Sequence, residues 1–162
     1  MTEEFHFFWK SPLGQWNKSP FVDENKTTYL CAEQYMMYQK ALLFNDLDAA
    51  KLILNEKSPK KQQELGRTVK NFDKDIWDEH AKTIVFKGNL LKFTQNEPQR
   101  NLLLSTIGKT LVEASPFDLI WGIGLGEDDP DRFDRTKWRG TNWLGECLMK
   151  VRELLDCFDI IK

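Results

Sequence analysis

Residues 28–44, TYLCAEQYMMYQKALLF, place apolar side chains on nearly every side of a helical wheel, and a helix of that kind is predicted to be buried. Its charged members are Glu33 and Lys40. Taking Glu33 as origin at about 100° per residue, Lys40 and Phe44 fall about 20° away, Met37 about 40°, and Met36 about 60° on the other side. Tyr35, Tyr38 and Leu42 fill the opposite side. The acid and the base therefore share one stripe with Met and Phe, separated by about 10 Å of helix rise that a lysine leaning toward the N-terminus can partly cover.

The rest of the chain reads as short strands and amphipathic helices. FHFFW at residues 5–9 suits a strand, the Pro and Gly of SPLGQWNKSPF mark a loop, and residues 27–30 predict a short extended piece before a helix over 32–45. Residues 46–55 continue at helical spacing, with Leu47, Ala50 and Leu54 on one side. Ser58 and Pro59 form a helix start, and that helix is predicted to stop near Gly66. Phe72, Ile76, Trp77, Ala81, Ile84, Val85, Gly88 and Leu91 predict an amphipathic helix over 72–93. Pro98 opens a further helix that Gly108 ends. TLVEAS at 110–115 and DLIWGIGL at 118–125 predict strands, residues 126–142 a polar loop, and 142–156 a last helix burying Trp143, Leu144, Leu148, Val151 and Leu155. No repeat or linker interrupts the chain, so the expectation is a single domain over 1–162, of α+β class and predominantly α-helical with a few short strands.

Composition narrows the partners. With 25 acidic and 23 basic residues spread along 162 positions, no basic stripe favours nucleic acid or membrane by bulk charge. Cys31, Cys147 and Cys157, without CxxC spacing and with only His6 and His80 beside them, suggest neither a zinc site nor a disulfide framework. Two acids near the start and no apolar run of membrane-spanning length predict a cytoplasmic protein without a membrane segment. Neither metal nor cofactor is expected.

Two chemistries fit the Glu33 and Lys40 stripe. One is a structural salt bridge, with Arg67 or Arg139 as further partners. The other is acid–base work: burial among Met and aromatic rings raises a carboxyl's proton affinity, a nearby ammonium lowers it again, and a desolvated lysine is itself a nucleophile toward a sugar aldehyde. WRGTNWLG at residues 138–145 puts Gly140, Thr141 and Asn142 at a helix start, where backbone amides either hold a phosphate or are capped by Thr141 or Asn142. Gly122, Gly124 and Gly126 beside Trp121 let backbone approach a ligand or mark a tight strand exit. They lack the strand-to-helix order of a dinucleotide fingerprint. The acids of the 127–134 loop, Asp129 among them, read mainly as a solvated face.

FFW with SPLGQW and SPF, AEQYMMYQKALLF, LGRTV, FD before Trp77, IVFKGNLLKF, LVEASP, IWGIGL and WRGTNWLGECLMKVREL follow one another in order over residues 5–155. In these motifs the chain resembles the NADAR (YbiA-like) family. The resemblance implies a mostly helical fold and an N-glycosidase that cleaves a ribose C1–N bond. The implied substrate is a ribosylamino-pyrimidine phosphate of riboflavin biosynthesis or an ADP-ribosylated guanine, with nucleic acid entering only as a modified substrate. A non-catalytic module binding ADP-ribose or NAD is the alternative. By motif, the resemblance implies Glu33 as the catalytic carboxylate near C1, Lys40 as its electrostatic or Schiff-base partner, and Asp128 or Asp129 in place of the acid that shorter members carry after Trp-Gly. It also implies site roles for Trp77, for Trp121 with Gly122, and for Gly140 with Asn142: on this chemistry Trp77 or Trp121 sandwiches the base, and the amides at Gly140 to Asn142, with Arg67 or Arg139, hold the phosphate. Cys31 stands where members often have Ser or Thr, and Gln15 and Asn17 depart from the usual SN-x-x-P-SPF form. The sequence leaves the oligomeric state open.

Overall fold

A computed structural model describes residues 2–160. In chain order the elements are β1 (Phe5–Phe8), β2 (Phe21–Val22), β3 (Thr28–Tyr29), α1 (Ala32–Leu43), α2 (Leu47–Asn55), α3 (Pro59–Arg67), α4 (Lys74–Gln95), α5 (Glu97–Leu104), β4 (Thr110–Glu113) and α6 (Trp143–Ile160). The class is α+β, predominantly helical with a few short strands. The chain forms two compact units, one over residues 15–96 and the other from the segments before and after it.

In the unit over residues 15–96, α1 packs against α2, α3 and α4. Its sequence explains the central place: from Ala32 through Met37 every residue is buried, Glu33 and Gln34 included. Leu42, on the side opposite Glu33, is 37% exposed, so the helix is not covered all round as the wheel predicts. A Cβ on Gly66 of α3 would lie 1.9 Å from Met37 Sδ, so glycine lets α3 come in close against α1. The antiparallel β2–β3 pair turns on Asp23, whose Oδ1 accepts from the N–H groups of Asn25 and Thr27, while Tyr29 donates its hydroxyl to Oδ2. Phe21, Tyr29 and Tyr35 form a buried aromatic cluster there.

Helix boundaries follow their caps. Asp46 accepts from Ala49 N and opens α2; Ser58 accepts from Lys61 N and opens α3 ahead of Pro59. Asp73 accepts from the N–H groups of Asp75 and Ile76, so α4 begins at Lys74, and Phe72 lies before it. Phe72 and Ile76 are exposed, and the buried stripe starts only at Ala81.

In the other unit β1 and β4 run parallel, with Phe5 opposite Thr110 and Phe8 opposite Glu113. Helix α6 packs on β4 and α5 on α6. Val112, Ile123 and Leu125 form one buried cluster, with Phe5, Phe7 and Trp138 against it. Residues 118–125, a predicted strand, form no strand. Asp118 Oδ1 accepts from Ile120 N and Trp121 N, which bends the chain at once, and Gly124 has a left-handed φ of 70°. The carbonyls of this segment turn instead to the start of α6: Leu119, Ile120, Trp121 and Gly122 accept from Thr141, Trp143, Leu144 and Asn142 in that order of acceptors. Among the described residues no helix is long and apolar enough to cross a membrane.

Candidate active site

Glu33 sits in the first turn of α1 and is 2% exposed. The helix start that carries it has an unusual support. Cys31, in the N-cap position, makes no side-chain cap bond and turns its thiol to Gln62 Oε1 at 3.3 Å. The amide of Glu33 is taken up by the carbonyl of Gln15 at 2.9 Å, and Gln34 reaches back to Leu30 N at 2.7 Å. One of the donors that a helix start leaves exposed, the amide of Glu33, is thus taken up by a backbone carbonyl of the preceding loop rather than by a Ser or Thr cap. Gln34 also donates to the carbonyls of Ile53, Leu54 and Glu56, tying α1 to the end of α2. Glu33 is thus held in the first turn of α1, near the positive end of the helix dipole.

Lys40, two turns further on, is half-buried, with Nζ 4.5 Å from the centre of the Phe72 ring and 5.6 Å from that of Trp77. Phe72 in turn packs on Phe44 at 5.3 Å. Burial pulls the Lys40 ammonium below its ordinary proton affinity, the Glu33 carboxylate raises it, and the exposed Arg67 lowers it again. Glu33, Lys40, Arg67 and Trp77 therefore belong to one neighbourhood. An acid, a half-buried lysine and two aromatic faces are thereby brought together.

Three further polar residues of this unit, Gln15, Asn89 and Lys92, are buried, and of these the sequence singles out Gln15 alone. Lys92 of α4 is fully buried, and its pKa is brought down to about 7 by loss of hydration, with Cys31 acting in the opposite sense. The Cys31 thiol is pushed up to about 11, burial being the main cause. Asn89 of α4 is also fully buried and donates to Gln15 Oε1 at 2.8 Å; Gln15 is 8% exposed. The signal for Asn89 and Lys92 lies in the helical period from Ala81, which runs through Val85, Gly88, Asn89 and Lys92 on one buried stripe.

The expected residues of the other unit also come together, and their contacts are internal. Trp121 packs edge-on against Trp143 at 5.7 Å and 83°. Gly122 and Gly140 let two stretches of backbone touch: a Cβ on Gly140 would stand 2.2 Å from Gly122 O. The amides around the start of α6 are not available to an anion as the sequence suggests. Arg139 N and Gly140 N both donate to Ile123 O, and the amides of residues 141–144 are all bonded to the 119–122 segment. Asn142, with φ 54°, clamps β4 with its side-chain amide, donating to Leu111 O at 2.9 Å and accepting from Glu113 N at 3.0 Å. Asp129 accepts from Asp131 N and so caps the 3-10 turn Pro130–Phe133. Arg139 is exposed.

Two surface concavities have neither Glu33 nor Lys40 in their lining. One, of about 490 Å³, runs beside Gly108 and the Glu146, Arg152 and Glu153 side of α6; the other, of about 340 Å³, is bounded by Glu24, Tyr35, Tyr38, His80 and Lys87. The second opens on the side of α1 opposite Glu33.

A buried carboxylate at a helix start thus shares one neighbourhood with a half-buried lysine and a tryptophan on an α+β fold. The chain belongs to the NADAR domain family, whose model matches residues 5–156. It is similar to N-glycosidase R617 of Acanthamoeba polyphaga mimivirus, 49% identical over 130 residues that make up 80% of this chain and 76% of that protein. It is also similar to the chloroplastic riboflavin biosynthesis protein PYRR of Arabidopsis thaliana, at 31% identity over 65% of this chain but 16% of that one. Among solved structures, that of YbiA from E. coli, determined by NMR, matches with a TM-score of 0.80 and 25% identity, covering 99% of this chain and 89% of that one.

Proposed function

We propose that this protein is an N-glycosidase that hydrolyses a ribose C1–N bond, with Glu33 as its catalytic carboxylate. The observation that carries the proposal is the burial of Glu33 at a helix start beside Lys40 and Trp77, in a chain 49% identical to a protein named an N-glycosidase. As the C1–N bond opens, its electron pair leaves with the base nitrogen and positive charge builds on the sugar ring. A carboxylate near C1 stabilises that charge and takes a proton from the water whose oxygen bonds to C1. Lys40 keeps Glu33 ionised while it is protonated, and the fraction that burial leaves neutral is able to attack a ring-opened sugar. Trp77 walls the base and Arg67 meets the phosphate. Hydrolysis of this kind calls for water alone, and three free cysteines suit a reducing cytoplasm.

The substrate we favour is a ribosylamino-pyrimidine phosphate, supported by the similarity to PYRR; an ADP-ribosylated guanine shares the same C1–N bond. The test incubates the protein with each substrate in turn and follows bond cleavage by mass spectrometry. Cleavage of one and not the other assigns the substrate. Tight binding of ADP-ribose without turnover of either makes the chain a binding module instead.

A further inference from the structure

Buried amides reveal which of their atoms still lack a partner. Asn89 Nδ2 donates to Val85 O, one turn back at 2.9 Å, and to Gln15 Oε1 at 2.8 Å. A backbone carbonyl only accepts, so the nitrogen of Asn89 has to face Val85, and the oxygen of Gln15 has to face that nitrogen. The orientation of both side chains follows from this chain of bonds. What remains is a donor, Gln15 Nε2, and an acceptor, Asn89 Oδ1, both buried and neither hydrogen-bonded. In a well-formed interior such atoms call for an explanation, and bound ligand or water is the usual one. The place matters too, because the carbonyl of the same Gln15 holds the amide of Glu33 at 2.9 Å.

A donor and an acceptor left over on two side chains that are already joined by a hydrogen bond are the complement of an O–H group, which accepts one hydrogen bond and gives another. We infer that Gln15 and Asn89 bind an O–H of the reacting system next to Glu33, either a hydroxyl of the ribose or the attacking water. This rests on the N-glycosidase reading above and adds two substrate- or water-binding residues to it.

Gln15→Met keeps the length of the side chain and removes its amide. The variant is assayed with a ribosylamino-pyrimidine 5′-phosphate and titrated calorimetrically with ribose 5-phosphate and 2-deoxyribose 5-phosphate. If the pair binds the ribose 2-hydroxyl, ribose 5-phosphate binds about tenfold more weakly and 2-deoxyribose 5-phosphate is unaffected. If it binds the water, both sugar phosphates bind as before and kcat falls about tenfold at constant KM. Should Gln15→Met fail to fold, Gln15→Glu keeps the acceptor for Asn89 and, with its carboxyl ionised, lacks the donor; the same losses are expected at pH 8. Unchanged kcat, KM and sugar-phosphate affinities overturn the inference, as does a loss common to all probes that tracks a fall in melting temperature. Glu33→Gln runs alongside: if it keeps full turnover the catalytic reading fails, whereas an inactive Glu33→Gln beside an unaffected Gln15→Met sinks only this inference.

Discussion

A lysine with no exposed surface has to be accommodated in every folded molecule, and Lys92 shows how that registers with pH. Its folded pKa of about 7 lies below the ordinary 10.5 because burial disfavours the charged form. Between these values the unfolded chain binds a proton there that the folded one does not, so stability rises with pH through that window; below about pH 7 both forms bind it and the cost of the buried ammonium is fully present. Lys92→Met is expected to flatten this rise, measured as the difference between wild-type and variant denaturant midpoints at pH 7 and pH 9.5. For Glu33 the expected effect is on rate: Glu33→Gln lowers kcat by roughly 100-fold or more while the fold persists, since carboxylate and amide have the same shape. Lys40→Met is expected to lower kcat, and Lys40→Arg separates its roles, restoring activity if the charge alone matters and not if an amine attacks the sugar. Glu33 and Lys40 were legible in the sequence because charges stand out on an apolar wheel. Lys92, Asn89 and Gln15 were less so: on α4 a polar residue within the buried stripe looks like its edge, and Gln15 belongs to a loop whose position no periodicity specifies.

At the scale of elements, capping chemistry proved the most readable signal. Pro59 after Ser58 predicts α3 at its observed start, and TLVEAS at 110–115 predicts a strand, of which Thr110–Glu113 form β4. The misreading at residues 118–125 has a physical cause. Apolar runs between Pro and Gly look like strands, yet a strand needs neighbours along its edge, and the carbonyls here are taken by the first turn of α6. That junction is tight enough to predict its own fragility. Gly140→Ala drives a methyl into Gly122 O and the Leu119 backbone, neither of which is a flexible tip, and is expected to cost about 2 kcal/mol or more in a urea titration. Asn142→Ala leaves Leu111 O and Glu113 N without their side-chain partner and is expected to cost about 2–3 kcal/mol, with its effect on stability rather than on KM.

For the molecule as a whole, the family was legible because long motifs keep their order from end to end, and the model of the NADAR domain spans both units. Thiol accessibility gives a global check on the fold. Cys31 and Cys147 are buried and Cys157 is exposed, so a thiol reagent is expected to titrate one cysteine in native protein and three in denaturant. The polar stretch after Leu125 is closed at its base: Arg139 N and Gly140 N both return to Ile123 O. Extra residues between fixed ends cost little entropy, about 0.6 kcal/mol for each doubling of loop length. The exposed pair Glu127 and Asp128 is therefore a splice point, where an epitope or a fluorescent reporter can be carried without disturbing the helix start below it.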